Sequence, residues 1–412
     1  MANKLMQQWR AAMAKQKNGA GEQATSDVLY PTGFLALDYL NGTMIHVESD
    51  KINTSYKAVG IVDGTSNTFI GRSGCGKSTL VTQIIGNMMR QFPDAVTYID
   101  DIEHSLPSFR KEFLLGLPAE AFKDGGDEQR VFIRDKDITT ENVYTQIKEL
   151  HDLKVNNKAE FEYDTGLYDT SGERIFKLVP SFYFIDSFAM LLPQEIAESD
   201  ELDAGMGATS TAKKNTQIIK KISQLLRGAN IILFTVNHIL DDIQMGFLPK
   251  PVQVDGLKQG ERIPGGKTAL YLANNMVRMD EKTTLKNSEG FGIDGKIVDI
   301  SLVKSRSNST RRSIPLIFDK TNGYFDNELS LYQFLKAEGA VGGAGRSMYF
   351  ENYPNAKFSQ KEFKSKLKED KELQRAFVET ANEYLTKLLS DTKSQHAVES
   401  DGFDINNMVL NM

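Results

Sequence analysis

The chain has 412 residues, 49 Lys and Arg against 55 Asp and Glu, a formal net charge of −6 and 40% hydrophobic residues. This is an ordinary balance for a chain of about two to three domain-sized units, or one large core with appendages. It excludes a bulk-basic nucleic-acid binder, so any such surface has to be local.

No run approaches the ~18 consecutive apolar residues of a membrane span. The basic N-terminal stretch has no apolar segment after it, so no secretory leader is expected. The single cysteine, Cys75, excludes an internal disulfide and suits a reducing, cytoplasmic setting.

Residues 1–18 place Leu5, Met6, Trp9, Ala12 and Met13 at helical spacing, and Gly19 to Ser26 reads as a tether. A frayed terminus and an arm that docks on a neighbouring subunit are both open readings. The core is expected from Tyr30. Val59, Ile61, Thr68, Phe69 and Ile70 are strand material, and Leu80, Ile84, Ile85, Met88 and Met89 mark a helix face. Val96 to Ile99 is a short buried strand ending in Asp100, Asp101 and Glu103. Helices are expected over Phe109 to Leu115, closed by Gly116, and over Glu141 to Leu153. Aromatic and polar residues alternate through 159–178, which predicts a hairpin.

Ser181 to Ile185 is a strand ending at Asp186. Ile218, Ile219, Ile222, Leu225 and Leu226 make a helix face with Gly228 at its end. Ile231 to Val236 is a strand ending at Asn237 and His238. Residues 192–212 and 239–267 follow strand ends as long loops, which in compact domains are functional or disordered. Further strands are expected near Asn275–Met279 and Lys296–Val303. The expected division is an N-terminal helix and tether over 1–29, a core over 30–338, a Gly-rich linker over 339–347, a small helical domain over 348–390 and a mobile tail over 391–412. Strands alternating with helices predict an α/β fold, a mostly parallel sheet with helices on both faces. Ligands bind such sheets beyond the carboxyl ends of the strands.

The chemistry concentrates at Gly71, Arg72, Ser73, Gly74, Cys75, Gly76, Lys77 and Ser78, followed by Thr79. The glycines let backbone N–H groups wrap phosphate oxygens, and the following helix adds its N-terminal dipole. Lys77 is expected to reach the β/γ-phosphates and the Ser78 hydroxyl to hold Mg²⁺, so ATP and Mg²⁺ are the expected cofactors. Asp186, at a strand end, is expected to hold the metal from the other side. Glu103 is a candidate to orient the attacking water, with Asp100 and Asp101 as competitors. Asn237 and His238 either sense a γ-phosphate or bond only to backbone. Lys304 and Arg306, with Arg311 and Arg312 nearby, form either a solvated basic face or a reach across a subunit interface.

In order and spacing these motifs resemble the RecA-type recombinases, and within them those of T4-like phages. Thr32-Gly33-Phe34-Leu35-Ala36-Leu37-Asp38 is similar to the T-G-x-x-x-L-D segment that opens their core. Asp101-Ile102-Glu103-His104-Ser105-Leu106 resembles D-x-E-H-x-L, and Ile185-Asp186-Ser187 and Asn237-His238 resemble the next two motifs. The resemblance covers roughly residues 28–335 and departs at 45–62 and 159–178, which look like insertions. It implies a RecA-like P-loop ATPase core with a short N-terminal arm and a small α-rich C-terminal domain. Glu103 would be the residue that activates water, Asp186 the Walker B aspartate, and His238 the γ-phosphate sensor. Phe109 would lie on adenine, and Lys304 and Arg306 would reach the neighbouring subunit's ATP.

Gly265, Gly266 and Lys267 would end one DNA loop. An acidic first loop, 193–212, would offer the backbone of Gly205 and Gly207. The implied activity is DNA-dependent ATP hydrolysis with strand exchange by a helical filament, in the host cytoplasm for a phage-encoded chain. Single- and double-stranded DNA, other copies of the chain and a single-strand-binding or mediator protein are the implied partners. A RecA-fold ring motor and a recombination mediator are the competing readings.

Overall fold

A computed structural model describes residues 27–198, 204–241, 256–264, 273–288, 290–306 and 312–389, except for the side chains of 204–215. The expected N-terminal helix with most of its tether, and the tail from 391, lie outside these residues.

Among the described residues, nine strands form one central sheet: β1 (Ser66–Gly71), β2 (Thr97–Asp101), β3 (Val131–Arg134), β4 (Ser181–Asp186), β5 (Ile231–His238), β6 (Asn275–Leu285), β7 (Gly295–Lys304), β8 (Ser313–Asp319) and β9 (Tyr324–Asp326). Their order is β9-β8-β7-β6-β1-β5-β4-β2-β3. The six strands from β6 to β3 in that order are mutually parallel. The β6–β9 portion continues as an antiparallel meander. The fold is therefore mixed α/β with a mostly parallel sheet.

Both sheet faces are covered, and the pleat sorts the residues. On β4, Phe182 and Phe184 join one core, whereas Tyr183 and Ile185 join the other. On β5, Ile232 and Phe234 face the first core, and Ile231 and Leu233 the second. Such two-faced burial is why these strands read as continuous apolar runs. Helix α1 (Lys77–Gln91) covers the first face with Leu80, Ile84 and Met88. On the second face lie α3 (Thr140–Asn156), with Val143 and Ile147, and α4 (Ala204–Gly228), with Ile219 and Ile222. Between them in sequence, α2 (Ser108–Leu115) packs against α1 and ends at Gly116, whose φ of +58° suits a helix C-terminus. Among the described residues, no helix is long and apolar enough to cross a membrane.

Three segments differ from or refine the sequence expectation. First, the loop expected over 192–212 is partly helical. Gln194–Ala197 is a short helix, and α4 starts at Ala204, so Gly205 and Gly207 lie in a first helical turn and not in a loop. The alanines and lysines of this stretch carry enough helix propensity to absorb two glycines.

Second, residues 339–347 are not a linker. Val341–Ala344 pairs with Ser347–Phe350, which pairs with Tyr353–Phe358. The glycines that read as flexible build this hairpin: Gly345 sits in its turn at φ +55°, and Gly343 lies on the strand beside it at φ +85°. Among the described residues, two α-helices follow α5 (Asn327–Ala337), namely α6 (Phe363–Glu369) and α7 (Lys371–Thr386), so the C-terminal part mixes strands and helices. It packs on the main core through aromatic rings. Tyr332 of α5 lies 4.6 Å from Phe363 and 5.8 Å from Phe358 between centroids, and Phe363 lies 5.3 Å from Phe377.

Third, 45–62 and 159–178 are antiparallel hairpins, Thr43–Glu48 with Asn53–Ala58 and Glu162–Tyr168 with Arg174–Leu178. Their distant sequences meet. Tyr56 donates to the Tyr168 carbonyl at 3.2 Å, and Lys51 pairs with Glu173.

Candidate functional site

The parallel arrangement puts the ends of β1, β2, β4 and β5 on one edge of the sheet. Register makes this concrete: Gly71 lies beside His238, and Asp101 beside Asp186. The glycine-rich loop leaves β1 here and turns into α1, with Gly76 at φ +94° as its N-cap. The N–H groups of the first helical turn have no intrahelical acceptor, which suits this end to an anion. Lys77 is buried. Its ammonium donates to the carbonyls of Gly71 and Arg72 at 3.0 Å each and lies 3.5 Å from His238 Nδ1. Burial lowers its pKa, opposed by Cys75, Asp186 and Glu103. Burial likewise raises the Cys75 thiol.

The turn after β2 decides which carboxylate faces the loop. His104 adopts a left-handed backbone at φ +51°. The N–H groups of Ile102 and Glu103 both donate to the Asp186 carbonyl, at 2.7 and 3.1 Å. This brings Glu103 next to β4. Its carboxylate accepts from the Ser187 hydroxyl and lies 3.1 Å, by either oxygen, from His238 Nε2. Desolvation pushes the Glu103 carboxyl up, but Ser187, His238 and Lys77 together outweigh it and hold it below the usual range.

Asp186 shifts the other way. Burial raises it, while the Ser105 and Ser78 side chains pull it back. Ser105 Oγ donates to Asp186 Oδ2 at 2.6 Å. The other oxygen, Oδ1, is buried without a hydrogen-bond partner among the described residues. An orphaned carboxylate oxygen next to Ser78 fits a hard cation with oxygen ligands. Among the described residues, no group of three or more His, Cys, Asp and Glu could hold a metal by itself. A cation here would need further ligands from water or a bound anion.

Asp100 and Asp101, the competitors of Glu103, are committed elsewhere. Asp100 takes a two-pronged pair from Arg134, both contacts at 2.9 Å, and a bond from the Tyr183 hydroxyl at 2.6 Å. Asp101 forms a buried ion pair with Lys111 and accepts from the Ser105 N–H at 3.2 Å.

Asn237 and His238 do more than close a strand. Asn237 donates to the Pro264 carbonyl at 3.0 Å, directly before Gly265, Gly266 and Lys267, which lie outside the described residues. The stem of the segment that begins after β5 is also tied to the glycine-rich loop. Leu240–Asp241 pairs with Glu261–Arg262, and Arg72 reaches Asp241 at 3.1 Å. Arg278 of β6 holds the stem with a double fork, to Glu261 at 2.6 and 2.9 Å and to Asp280 at 2.7 and 3.0 Å.

The remaining expected residues fall in different places. Phe109 projects from α2 and is 71% exposed. Lys304 is not brought to the loop of its own chain. Met279 of β6 pairs with Gly71 but Met276 pairs with Lys304, so Lys304 sits about 10 Å further toward the opposite sheet edge. It is half-buried, with its pKa lowered by burial and by Arg306, which is exposed.

Three groups at this site were not identified from sequence. Ser105 and Ser187 sit inside motifs that were read, but a serine beside a carboxylate carries no signal of its own. Lys296, on β7, touches the loop from 222 residues away, and no motif marks it. No family model matches the chain, and no curated protein matches it.

Proposed function

We propose that the chain is an ATPase with a RecA-type core that assembles on single-stranded DNA, holds ATP between consecutive subunits and exchanges the bound strand with a homologous duplex. The observation that carries this reading is the convergence, on one sheet edge, of a phosphate-cradling loop, an unpaired buried aspartate oxygen and a glutamate hydrogen-bonded to a histidine. These are the parts that phosphoryl transfer to water requires.

In this reading the backbone from Gly71 to Ser78, with Thr79 behind it, cradles the triphosphate. Lys77 neutralises charge on the β/γ-phosphates. Glu103, held by Ser187 and His238, orients the attacking water and accepts its proton. Ser78 and Asp186 would hold Mg²⁺, which when bound spreads the phosphate charge. His238 touches Glu103 and lies beside Lys77, so it senses the γ-phosphate and passes its state through Asn237 to the Pro264 segment. Phe109, exposed on α2, offers a ring to the adenine.

Lys304 and Arg306 point to assembly. Lys304 lies away from its own loop; in this reading the phosphate that it and Arg306 serve is that of the next subunit, and the site would be complete only between two copies. DNA binding rests on the resemblance and on the stem that links Asp241 and Pro264 to the nucleotide site.

The test is ATP hydrolysis with and without single-stranded DNA, followed by electron microscopy of the same samples. DNA-stimulated turnover with open filaments is expected. Turnover no higher than that of a Lys77→Ala control would refute the enzyme reading, and closed rings would favour a ring motor.

A further inference from the structure

Lys296 is a buried lysine that no part of the proposed mechanism uses. It enters β7 beside the glycine-rich loop, with 5% of its surface exposed. Its ammonium donates to the Gly74 carbonyl, contacts Glu281 Oε2 of β6 at 3.1 Å and lies 5.5 Å from the centre of the Phe318 ring. A charge buried to this degree is costly unless it is paired and bonded. Here one bond goes to a peptide of the phosphate-cradling loop and the other to the Glu281 carboxylate.

That peptide needs holding. Gly74 has φ of +77°, and a Cβ built there would meet nothing within 4 Å. It is a glycine in open space, with no side-chain wall to fix its peptide. The neighbouring glycines are constrained by packing. A Cβ on Gly76 would meet the Phe325 ring at 2.9 Å, and one on Gly71 would meet the Met279 carbonyl at 2.6 Å. Only the apex of the loop lacks such walls. A peptide that rotated there would turn a carbonyl oxygen toward a bound phosphate, where like charge repels it. An oxygen committed to an ammonium cannot do so.

We propose that Lys296 is a positioning residue of the nucleotide loop, which stakes the Gly74 carbonyl and keeps the loop's N–H groups free for the phosphates. The inference rests on the reading that this loop binds a nucleoside triphosphate. Glu281 plays a lesser part. It balances the charge of Lys296, but its side chain is 46% exposed and water satisfies it when the lysine is removed. Lys296 also shares β7 with Lys304, so one strand bonds to its own chain's loop at one end and carries a proposed finger for the neighbour's at the other.

The test uses full-length protein, a fluorescent ATP analogue with Mg²⁺, and thermal unfolding without nucleotide. Lys296→Met is expected to weaken analogue binding about tenfold, the scale of a lost hydrogen bond to a charged group. Its nucleotide-free unfolding midpoint should stay close to that of the wild type. Lys296→Arg, which still donates, should restore most of the affinity. Glu281→Gln, which leaves the Gly74 bond intact, should bind nearly as wild type.

The proposal fails if Lys296→Met binds as tightly as wild type. It fails also if Glu281→Gln weakens binding as much, or if Lys296→Met and Lys296→Arg lose affinity together with a lowered unfolding midpoint. A wild type that binds no analogue overturns the nucleotide reading itself, which is a different result from equal binding by wild type and Lys296→Met.

Discussion

Four carboxylates stand at the ends of β2 and β4, and they divide into two groups. Asp100 and Asp101 are nearly fully buried and matched to cations, by Arg134 and Lys111. Glu103 and Asp186 lie one turn or one strand away, and neither makes an ion pair with a lysine or arginine among the described residues. Glu103 faces a histidine and a serine, and Asp186 faces Ser105 and Ser78 and keeps Oδ1 without a hydrogen-bond partner among the described residues. Being a strand-end acid therefore does not decide the chemistry. The partner supplied by the rest of the fold does. A matched pair is structural, and an unmatched carboxylate beside the glycine-rich loop remains available for a metal or a water.

The division can be broken by substitution. The largest effect is expected for the trans fingers. Arg306→Ala should lower DNA-stimulated ATP turnover by about 10³-fold or more, while analogue binding by the isolated protein is kept. Unchanged turnover would show that Arg306 belongs to a solvated face.

Glu103→Gln should lower turnover by about 10²–10⁴-fold with binding retained, the range of a lost general base. Asp101→Asn is its counterpart in the matched group. It leaves Lys111 buried without its partner, so a stability loss of about 3–5 kcal/mol is expected by denaturant unfolding, with turnover per folded molecule kept. If Asp101→Asn abolished turnover without destabilising the fold, the assignment of the two groups would be inverted.

The smallest effect lies at the opposite edge of the sheet. Lys154 is buried there among the Val179 carbonyl at 2.6 Å, the Ser181 hydroxyl at 3.0 Å and the Asn230 carbonyl at 3.4 Å. Burial lowers its pKa to about 7. Between about pH 7 and 10.4 the unfolded chain holds a proton that the folded one does not, so stability rises with pH. Relative to Lys154→Met, the wild type should gain at most about 1.4 kcal/mol per pH unit across that window. A pH-independent difference between the two would contradict the shift.

Sequence made the site's frame legible because its parts are short and local. Gly71 to Ser78 announces itself by spacing, and Asp186 by ending an apolar strand. The choice of Glu103 over Asp100 and Asp101 was not legible from residue type alone. It depends on Arg134 and Lys111, which reach back from β3 and α2, and on the His104 turn. The helix start at Ala204 and the hairpin at Val341–Ala344 were hidden by glycines. In one case glycines were tolerated inside a helix, and in the other they supplied turns that read as a linker. Lys296 was invisible for another reason. Its contact is made across the sheet, and a lone lysine at the start of a strand has no spacing to betray it.

The central claim is that each site is completed by a second copy of the chain. It is tested most directly by mixing two inactive variants on single-stranded DNA, Glu103→Gln with intact fingers and Arg306→Ala with an intact glutamate. In a randomly mixed assembly about a quarter of the interfaces would join the intact glutamate to intact fingers. ATP turnover of the mixture well above the sum of the two variants alone is the predicted result. A mixture no more active than that sum would contradict the shared site.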